Sequence, residues 1–399
     1  MKRSISIIGG GASALMLGCS LDRKKFNVCI YEKNAAPGRK FLVAGDGGLN
    51  LTHSEAPEKF SERYTPDSFL ANAFHHFSNH DFINWLRAHD IPTYTGSSGR
   101  VFPQKGIKPI EVLNRLLEHV KNNDVQWQLK HEWLGFSENG ELLFNNNEQQ
   151  LSVKSDYVIF CLGGASWPVT GSTGNWADHF REKNIQVHPF EASNCAFRVE
   201  WTEALLAKAE GKALKNIHLS CSDKTHAGEV VITRFGLEGS GIYPLSPQIR
   251  QQLHAQQQAT IHLDLKPSVS RDSLVKKLRD KKIKTNYTAH IKEQLHLNEV
   301  QLTLLKHLVS KEDFLNAELL CKHIKHLPIA VSGTGPVDEA ISTIGGIALS
   351  ETDAQFQLKK MPRHFIVGEM LDYDAPTGGY LLQSCFSMAK FLADHLNLL

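Results

Sequence analysis

Residues Ser4 to Lys33 read SISIIGGGASALMLGCSLDRKKFNVCIYEK, and this stretch narrows the possible folds furthest. Ser4 to Ile8 is a β-branched run, Gly9, Gly11 and Ala14 follow at G-x-G-x-x-A spacing, and a small-residue helical run continues to Leu21. Phe26 to Tyr31 is a second strand pattern that ends in Glu32. Strand, glycine turn, helix and second strand make a βαβ unit with a dinucleotide fingerprint. Gly9 allows the tight turn, Gly11 lets the backbone approach a pyrophosphate, and Ala14 lets helix and strand pack closely. The start of the helix then turns free N–H groups toward phosphates. Glu32 comes 21 positions after Gly11, where a carboxylate accepts hydrogen bonds from a ribose diol and repels a 2′-phosphate.

With 399 residues the chain has room for two or three domains. Its net charge of +2 and its 22% of charged residues name no partner. No apolar run reaches the roughly 18 residues of a membrane helix, and the run at Met1 to Ile8 is too short for a signal peptide, so a cytoplasmic protein is expected. The seven cysteines are scattered without a C-x-x-C pair, which argues against a metal site or disulfide framework. Cys29 and Cys161 lie in apolar strand patterns and read as small core residues.

Pro37 to Glu55, PGRKFLVAGDGGLNLTHSE, has four glycines between 38 and 48 and is expected to be a loop lying close to a ligand. Arg39 and Lys40 would face phosphates there, while Asn50, Thr52 and His53 would offer polar groups to a reacting ring. Asp67 to Asp90 reads as one helix. Arg100, beside Val101 and Phe102, reads as an anchor for the fold or a ligand contact, and its position favours the anchor. Ile110 to Asn122 is an amphipathic helix, and Val125–Leu129, Glu132–Phe136 and Leu142–Phe144 read as an antiparallel meander. Asp156 to Leu162 is a buried strand that runs into Gly163-Gly164, which returns the chain to the crevice of the first sheet.

After His188 the pattern changes to short strands without α/β alternation, a β-rich domain. Residues 268–326 are helical and carry 12 Lys and Arg against 7 Asp and Glu, concentrated in RDSLVKKLRDKKIKTN. Such a run is either a solvated helix face or a polyanion contact. The glycines of 239–241 and of 333–335 lack the context of a second fingerprint. At the C-terminus a buried strand, Phe365 to Val367, meets Gly368-Glu369 and Asp372; an APTGGY turn and a terminal helix follow. A helix start of this kind suits an electron-rich group such as a flavin's pyrimidine edge, and Asp372 is placed to take ribityl hydroxyls.

GGGASA, Glu32, PGRK, GDGGLNLTH, GRVFP, LGGASWPVTGSTG, TRFGLEG, ISTIGG and GEMLDYDAPTGGYLLQ together resemble, in order and spacing, the BaiN/YhiN-type family of FAD-dependent oxidoreductases. The resemblance implies an α/β FAD-binding Rossmann-like domain of glutathione-reductase type, interrupted by a β-barrel-like domain with a helical insertion. On this chain the parts are expected at 1–188 (FAD domain), 189–267 (β-rich), 268–326 (helical insert), 327–344 (β-rich return) and 345–399 (FAD domain). It implies FAD, with Gly9, Gly11 and Ala14 at the pyrophosphate, Glu32 at the adenosine ribose, and Gly368, Glu369, Asp372, Gly378 and Gly379 around the ribityl and isoalloxazine. Where most relatives carry Arg-Cys-Asn, this chain has Gly48-Leu49-Asn50, so any role of that arginine or cysteine is absent.

Three functions follow from these residues. One is reduction of an activated carbon–carbon double bond, with NAD(P)H as a transient donor and His53 and Tyr380 as candidate proton donors. Another is reduction of uracil in structured RNA held by the basic helices. The last is a flavin-binding protein without catalysis. The partner is accordingly a small-molecule substrate or structured RNA, and no membrane.

Overall fold

The computed structural model describes residues 1–43, 48–146, 149–279 and 286–399. Gly45 and Gly47 of the glycine-rich segment, and Lys281, Lys282 and Lys284 of the basic run, lie outside the described residues. The chain divides into two compact units, one made of Met1–Ala192 with Val337–Leu399 and the other of Ser193–Pro336. The second unit thus interrupts the first in sequence.

The first unit is built on a five-stranded parallel sheet, in the order His364–Ile366, Tyr157–Phe160, Arg3–Ile8, Phe26–Glu32, Gln126–Leu129. Its middle strand is covered on both faces, so Ile5, Ile7 and Ile8 are fully buried. The helix Ala12–Ser20 packs against the C-terminal helix Tyr380–Leu398 and against the helix Pro109–Asn122. Gly18 makes the second contact close, since a Cβ there would lie 3.0 Å from Val120. Phe386, Met388, Ala389, Leu392, Ala393 and Leu396 bury one side of the C-terminal helix.

Three local expectations change. Gln126–Leu129 is the edge of the parallel sheet, pairing Cys29 with Gln126, rather than the first strand of a meander. The meander is made of Glu132–Phe136, Leu142–Asn145 and Gln150–Val153. The helix expected over 67–90 is two helices, Ala71–His76 and Asn79–Ala88, because Ser78 caps the second one and shares a capping box with Asp81. The glycine-rich segment contains a short helix, Arg39–Val43, and a two-residue strand, Thr52–His53. That strand joins Arg100–Pro103 and Thr93–Thr95 in a small antiparallel sheet.

The second unit is a seven-stranded antiparallel sheet whose edge strands are Leu327–Val331 and Gly333–Thr334. Only Ser332 separates them in sequence, a span of about 7 Å at most, so the two edges meet and the sheet curls into a barrel. Between Ala259–Asp264 and Leu327–Val331 the chain inserts helices, among them Arg271–Arg279, Tyr287–Leu295, Glu299–Leu308 and Ala317–Lys325.

The Ser78 cap yields a test of the split helix. Ser78→Ala removes the acceptor for the Asp81 N–H and is expected to lower stability by about 1 kcal/mol. Denaturant titration checks this, and an unchanged midpoint would mean that packing alone sets that helix start.

Candidate functional site

The first glycine turn is shaped by close backbone approach. Gly9 has φ +98°, and a Cβ there would lie 2.5 Å from the Cys161 carbonyl oxygen. At Gly11 the opposite holds: a Cβ would meet nothing within 4 Å, so the chain leaves open space in front of the helix. That helix has no side-chain cap, and its first internal bond runs from Leu15 N–H to the Gly11 carbonyl at 3.0 Å. The N–H groups of Ala12, Ser13 and Ala14 therefore have no acceptor within the helix. Ala14 is fully buried, with the small side chain expected of it. Glu32 is buried and oriented by the backbone, accepting from Gly10 N–H at 2.8 Å through Oε2 and from Asn34 N–H at 2.8 Å through Oε1. Asn34 Nδ2 donates a third bond at 2.7 Å, which leaves the carboxylate one further lone-pair site.

A second turn follows the strand Tyr157–Phe160. Gly163 has φ +72°, and a Cβ on Gly164 would sit 2.1 Å from Thr343 Oγ1 and 3.0 Å from the Glu369 carboxyl carbon. Glu369 is buried; its Oε1 accepts from Thr343 N–H at 3.1 Å and its Oε2 from Lys40 Nζ at 3.0 Å. Lys40 also donates to Ser166 Oγ at 2.8 Å. The two basic residues thus part company, since Arg39 Nη1 donates to Asn34 Oδ1 at 2.8 Å beside Glu32. Gly368 has φ +83° and packs on the N-terminal helix, where a Cβ would be 2.7 Å from Ser13 Oγ. Asp372 accepts from Gly345 N–H at 2.9 Å and pairs with His188 Nδ1 at 2.5 Å.

The third turn starts the C-terminal helix. Gly378 and Gly379 have φ +110° and +95°, and the backbone of Thr52 presses so close that a Cβ on Gly379 would be 2.5 Å from it. Thr52 Oγ1 donates to Gln383 Oε1 at 2.7 Å, tying the short strand to the helix. The helix start again lacks a side-chain cap. Asn50 Oδ1 is buried without a hydrogen-bond partner among the described residues, an acceptor left open to a donor.

Beside this turn the His53 and Tyr380 rings stack at 5.6 Å and 21°, with Phe60 against Tyr380 at 4.5 Å. Tyr380 donates its hydroxyl to Glu55 Oε1. Arg63 grips the same carboxylate with two donors, Nε to Oε1 at 3.1 Å and Nη2 to Oε2 at 2.8 Å. Burial by itself raises the Glu55 carboxyl, but the bonds from Arg63 and Tyr380 outweigh it and hold the group below the usual carboxylate range. Burial, and then the adjoining carboxylate, push the Tyr380 phenol above the usual tyrosine range, so it keeps its proton. His53 Nδ1 accepts from Glu55 N–H at 3.1 Å, which puts the proton of the neutral ring on Nε2, 3.0 Å from the Ser98 carbonyl.

Glu55, Ser166 and Thr343 join the site through partners distant in the chain, Tyr380, Lys40 and Glu369, and Arg63 joins it through Glu55, eight residues before it. The half-buried Arg100 side chain has no hydrogen bond or ion pair with any described residue. Burial pushes the Cys385 thiol up to about 11 and raises Cys161 well above its ordinary value, so neither supplies a thiolate at neutral pH.

Comparison with known proteins agrees with this architecture. Residues 3–395 match the family model described as "HI0933-like protein Rossmann domain". The chain is similar to the ribosomal RNA dihydrouridine synthase of Escherichia coli (strain K12), with 21% identity over 98% of this chain and 97% of the relative. It is also similar to the 3-dehydro-bile acid delta(4,6)-reductase of Clostridium scindens, with 22% identity over 95% of each chain. Among solved structures, 3-ketosteroid-delta4-(5alpha)-dehydrogenase from Rhodococcus jostii RHA1 shares the fold, with a TM-score of 0.53 and 11% identity over 98% of this chain and 96% of that one. The chain belongs to the HI0933-like Rossmann family and is an FAD-dependent oxidoreductase.

Proposed function

We propose that the protein uses NAD(P)H to reduce an activated carbon–carbon double bond. The observation that carries this reading is the Tyr380 hydroxyl, protonated and held by Glu55 at the turn where Gly378 and Gly379 start the C-terminal helix. Two relatives, a 3-dehydro-bile acid delta(4,6)-reductase and a ribosomal RNA dihydrouridine synthase, bear names that denote reduction of a double bond, which supports it.

The residues present fit FAD. The open space at Gly11 and the uncapped helix would take the pyrophosphate, and Glu32 has a lone-pair site left for a ribose hydroxyl. Asn50 would accept from a cofactor donor, and the second uncapped helix start would face the electron-rich end of the flavin ring. When bound, FAD supplies hydride transfer from nicotinamide to substrate. Of the two proton donors expected from sequence, Tyr380 is the better placed. The His53 N–H is committed to the Ser98 backbone, whereas the Tyr380 hydroxyl donates to the Glu55 side chain. His53 then serves as the stacked support of the phenol.

A Cβ at Gly11 meets nothing within 4 Å, so Gly11→Ala should fold normally, yet it narrows the approach to the pyrophosphate; the purified variant is expected to lose flavin with an unchanged circular dichroism spectrum. Full flavin content would remove Gly11 from the cofactor site.

Anaerobic stopped-flow absorbance tests the reaction itself. Either NADH or NADPH should bleach the flavin band, and bleaching by neither would sink the reductase reading. Tyr380→Phe should leave that bleaching intact and slow reoxidation by an acceptor about 100-fold or more, with His53→Phe close to wild type. Equal reoxidation rates for wild type and Tyr380→Phe would dismiss Tyr380 as the donor.

A reading in which the double bond belongs to uracil in structured RNA is favoured by one surface feature. Lys276 and Lys277 are exposed on Arg271–Arg279, opposite the buried Leu274, Val275 and Leu278. Arg271 and Arg279 contribute less, because both pair with Glu318, at 2.9 and 3.0 Å. Reversing Lys276 and Lys277 to Glu should flatten the salt dependence of RNA retention by about 2 in log–log slope. An unchanged slope would exclude this face.

A further inference from the structure

Among the described residues, Arg100 is a cation at this site whose side chain has no hydrogen-bond or ion-pair partner. It begins the strand Arg100–Pro103 directly opposite His53, and directly opposed residues of an antiparallel pair project from the same face. A Cβ placed on Gly378 would lie 3.7 Å from Arg100 Nε and 3.4 Å from Tyr380 Cε2, so the guanidinium and the phenol ring flank the same glycine turn. The side chain is half-buried, yet it has no hydrogen bond or ion pair with any described residue. The nearby carboxylate cannot serve it, because Glu55 is already taken by two Arg63 nitrogens and the Tyr380 hydroxyl.

A guanidinium presents five donors in a planar fork, and withdrawing it from water without an acceptor is unfavourable. Its fork suits a planar, electron-rich oxygen. We infer that Arg100 is the subsite for the carbonyl oxygen conjugated to the double bond that the enzyme reduces. The inference rests on the reductase reading and adds the substrate class: an α,β-unsaturated carbonyl whose oxygen binds next to the proton donor. A hydride, which FAD would supply from NAD(P)H when bound, adds to the β-carbon. The π pair of the double bond shifts to make a carbon–carbon double bond at the carbonyl carbon, and the carbonyl pair moves onto oxygen as an enolate. The α-carbon then takes the Tyr380 proton as the carbonyl re-forms, and solvent returns a proton to the phenol. The charge on oxygen is greatest partway through this sequence, where a fixed guanidinium stabilises it most.

Benzoate, a planar conjugated oxyanion that accepts no hydride, tests the subsite without any electron donor. The oxidised, FAD-loaded protein is titrated with benzoate and followed by flavin absorbance and calorimetry. Wild type should show a saturable spectral change, and Arg100→Met should bind about ten- to hundredfold more weakly with its FAD content retained. Arg100→Lys, which keeps the charge without the fork, should fall between them. Equal affinity in wild type and Arg100→Met, no saturable binding in wild type, or loss of FAD from both variants would each overturn the assignment. Absence of bleaching by nicotinamides would sink the reductase reading and the substrate class with it, whereas the titration decides by itself whether Arg100 holds a planar oxyanion.

Discussion

Everything at the site depends on how closely three strand ends approach one another. Ile8, Phe160 and Ile366 end neighbouring parallel strands, and each is followed by a glycine-bearing turn: Gly9, Gly163-Gly164 and Gly368. The spacing leaves no room for side chains, as Cβ positions at Gly9, Gly164 and Gly368 fall within 2.7 Å of atoms from the adjoining turn or helix. Backbone groups thereby form the floor of the crevice. A crevice of this kind, at the carboxyl ends of parallel strands, is where nucleotide cofactors bind in open α/β sheets.

The same closeness explains why the ends of the chain must meet. Val158 pairs with His364, and the helix begun at Ala12 packs on the helix begun at Tyr380, so the second and third turns are positioned only when the last thirty or so residues have docked. Lys40 and Glu369 show the electrostatic side of this. Glu369 is buried and would be an unpaired charge without Lys40, which comes from the opposite end of the chain. The ion pair makes the register of the C-terminal segment a condition for burying either partner.

How much of this was legible depends on whether the cause was local. The fingerprint was readable because its constraints act within thirty residues: Gly9, Gly11, Ala14 and Glu32 stand where their spacing put them. The split at Ser78 was not read, although Ser-x-x-Asp before an apolar run is a capping signal, because helical spacing on either side masked it. Gln126–Leu129 was misplaced for a different reason. Its partner, Phe26–Glu32, lies about a hundred residues earlier, and a short strand offers no pattern that separates parallel from antiparallel pairing. Glu55 escaped for a similar reason, because its partner Tyr380 stands at a helix start more than three hundred residues away, and Arg63 follows from Glu55.

Arg63 and Arg100 carry the same group to the same region with opposite consequences. Arg63 meets Glu55 in two-donor geometry, and that pair holds the carboxylate ionised; the ionised carboxylate in turn keeps the Tyr380 phenol protonated by making a second negative charge beside it unfavourable. Glu55 therefore ends with its charge balanced and its oxygens occupied. Arg100, across from His53, is left with a full positive charge near the uncapped start of a nineteen-residue helix. Two positive features that face one turn raise the free energy of the protein by itself and lower it when an electron-rich oxygen arrives. A proton held ready on one side and an unbalanced cation on the other are the two things that adding a hydride and a proton across a conjugated double bond requires of its protein.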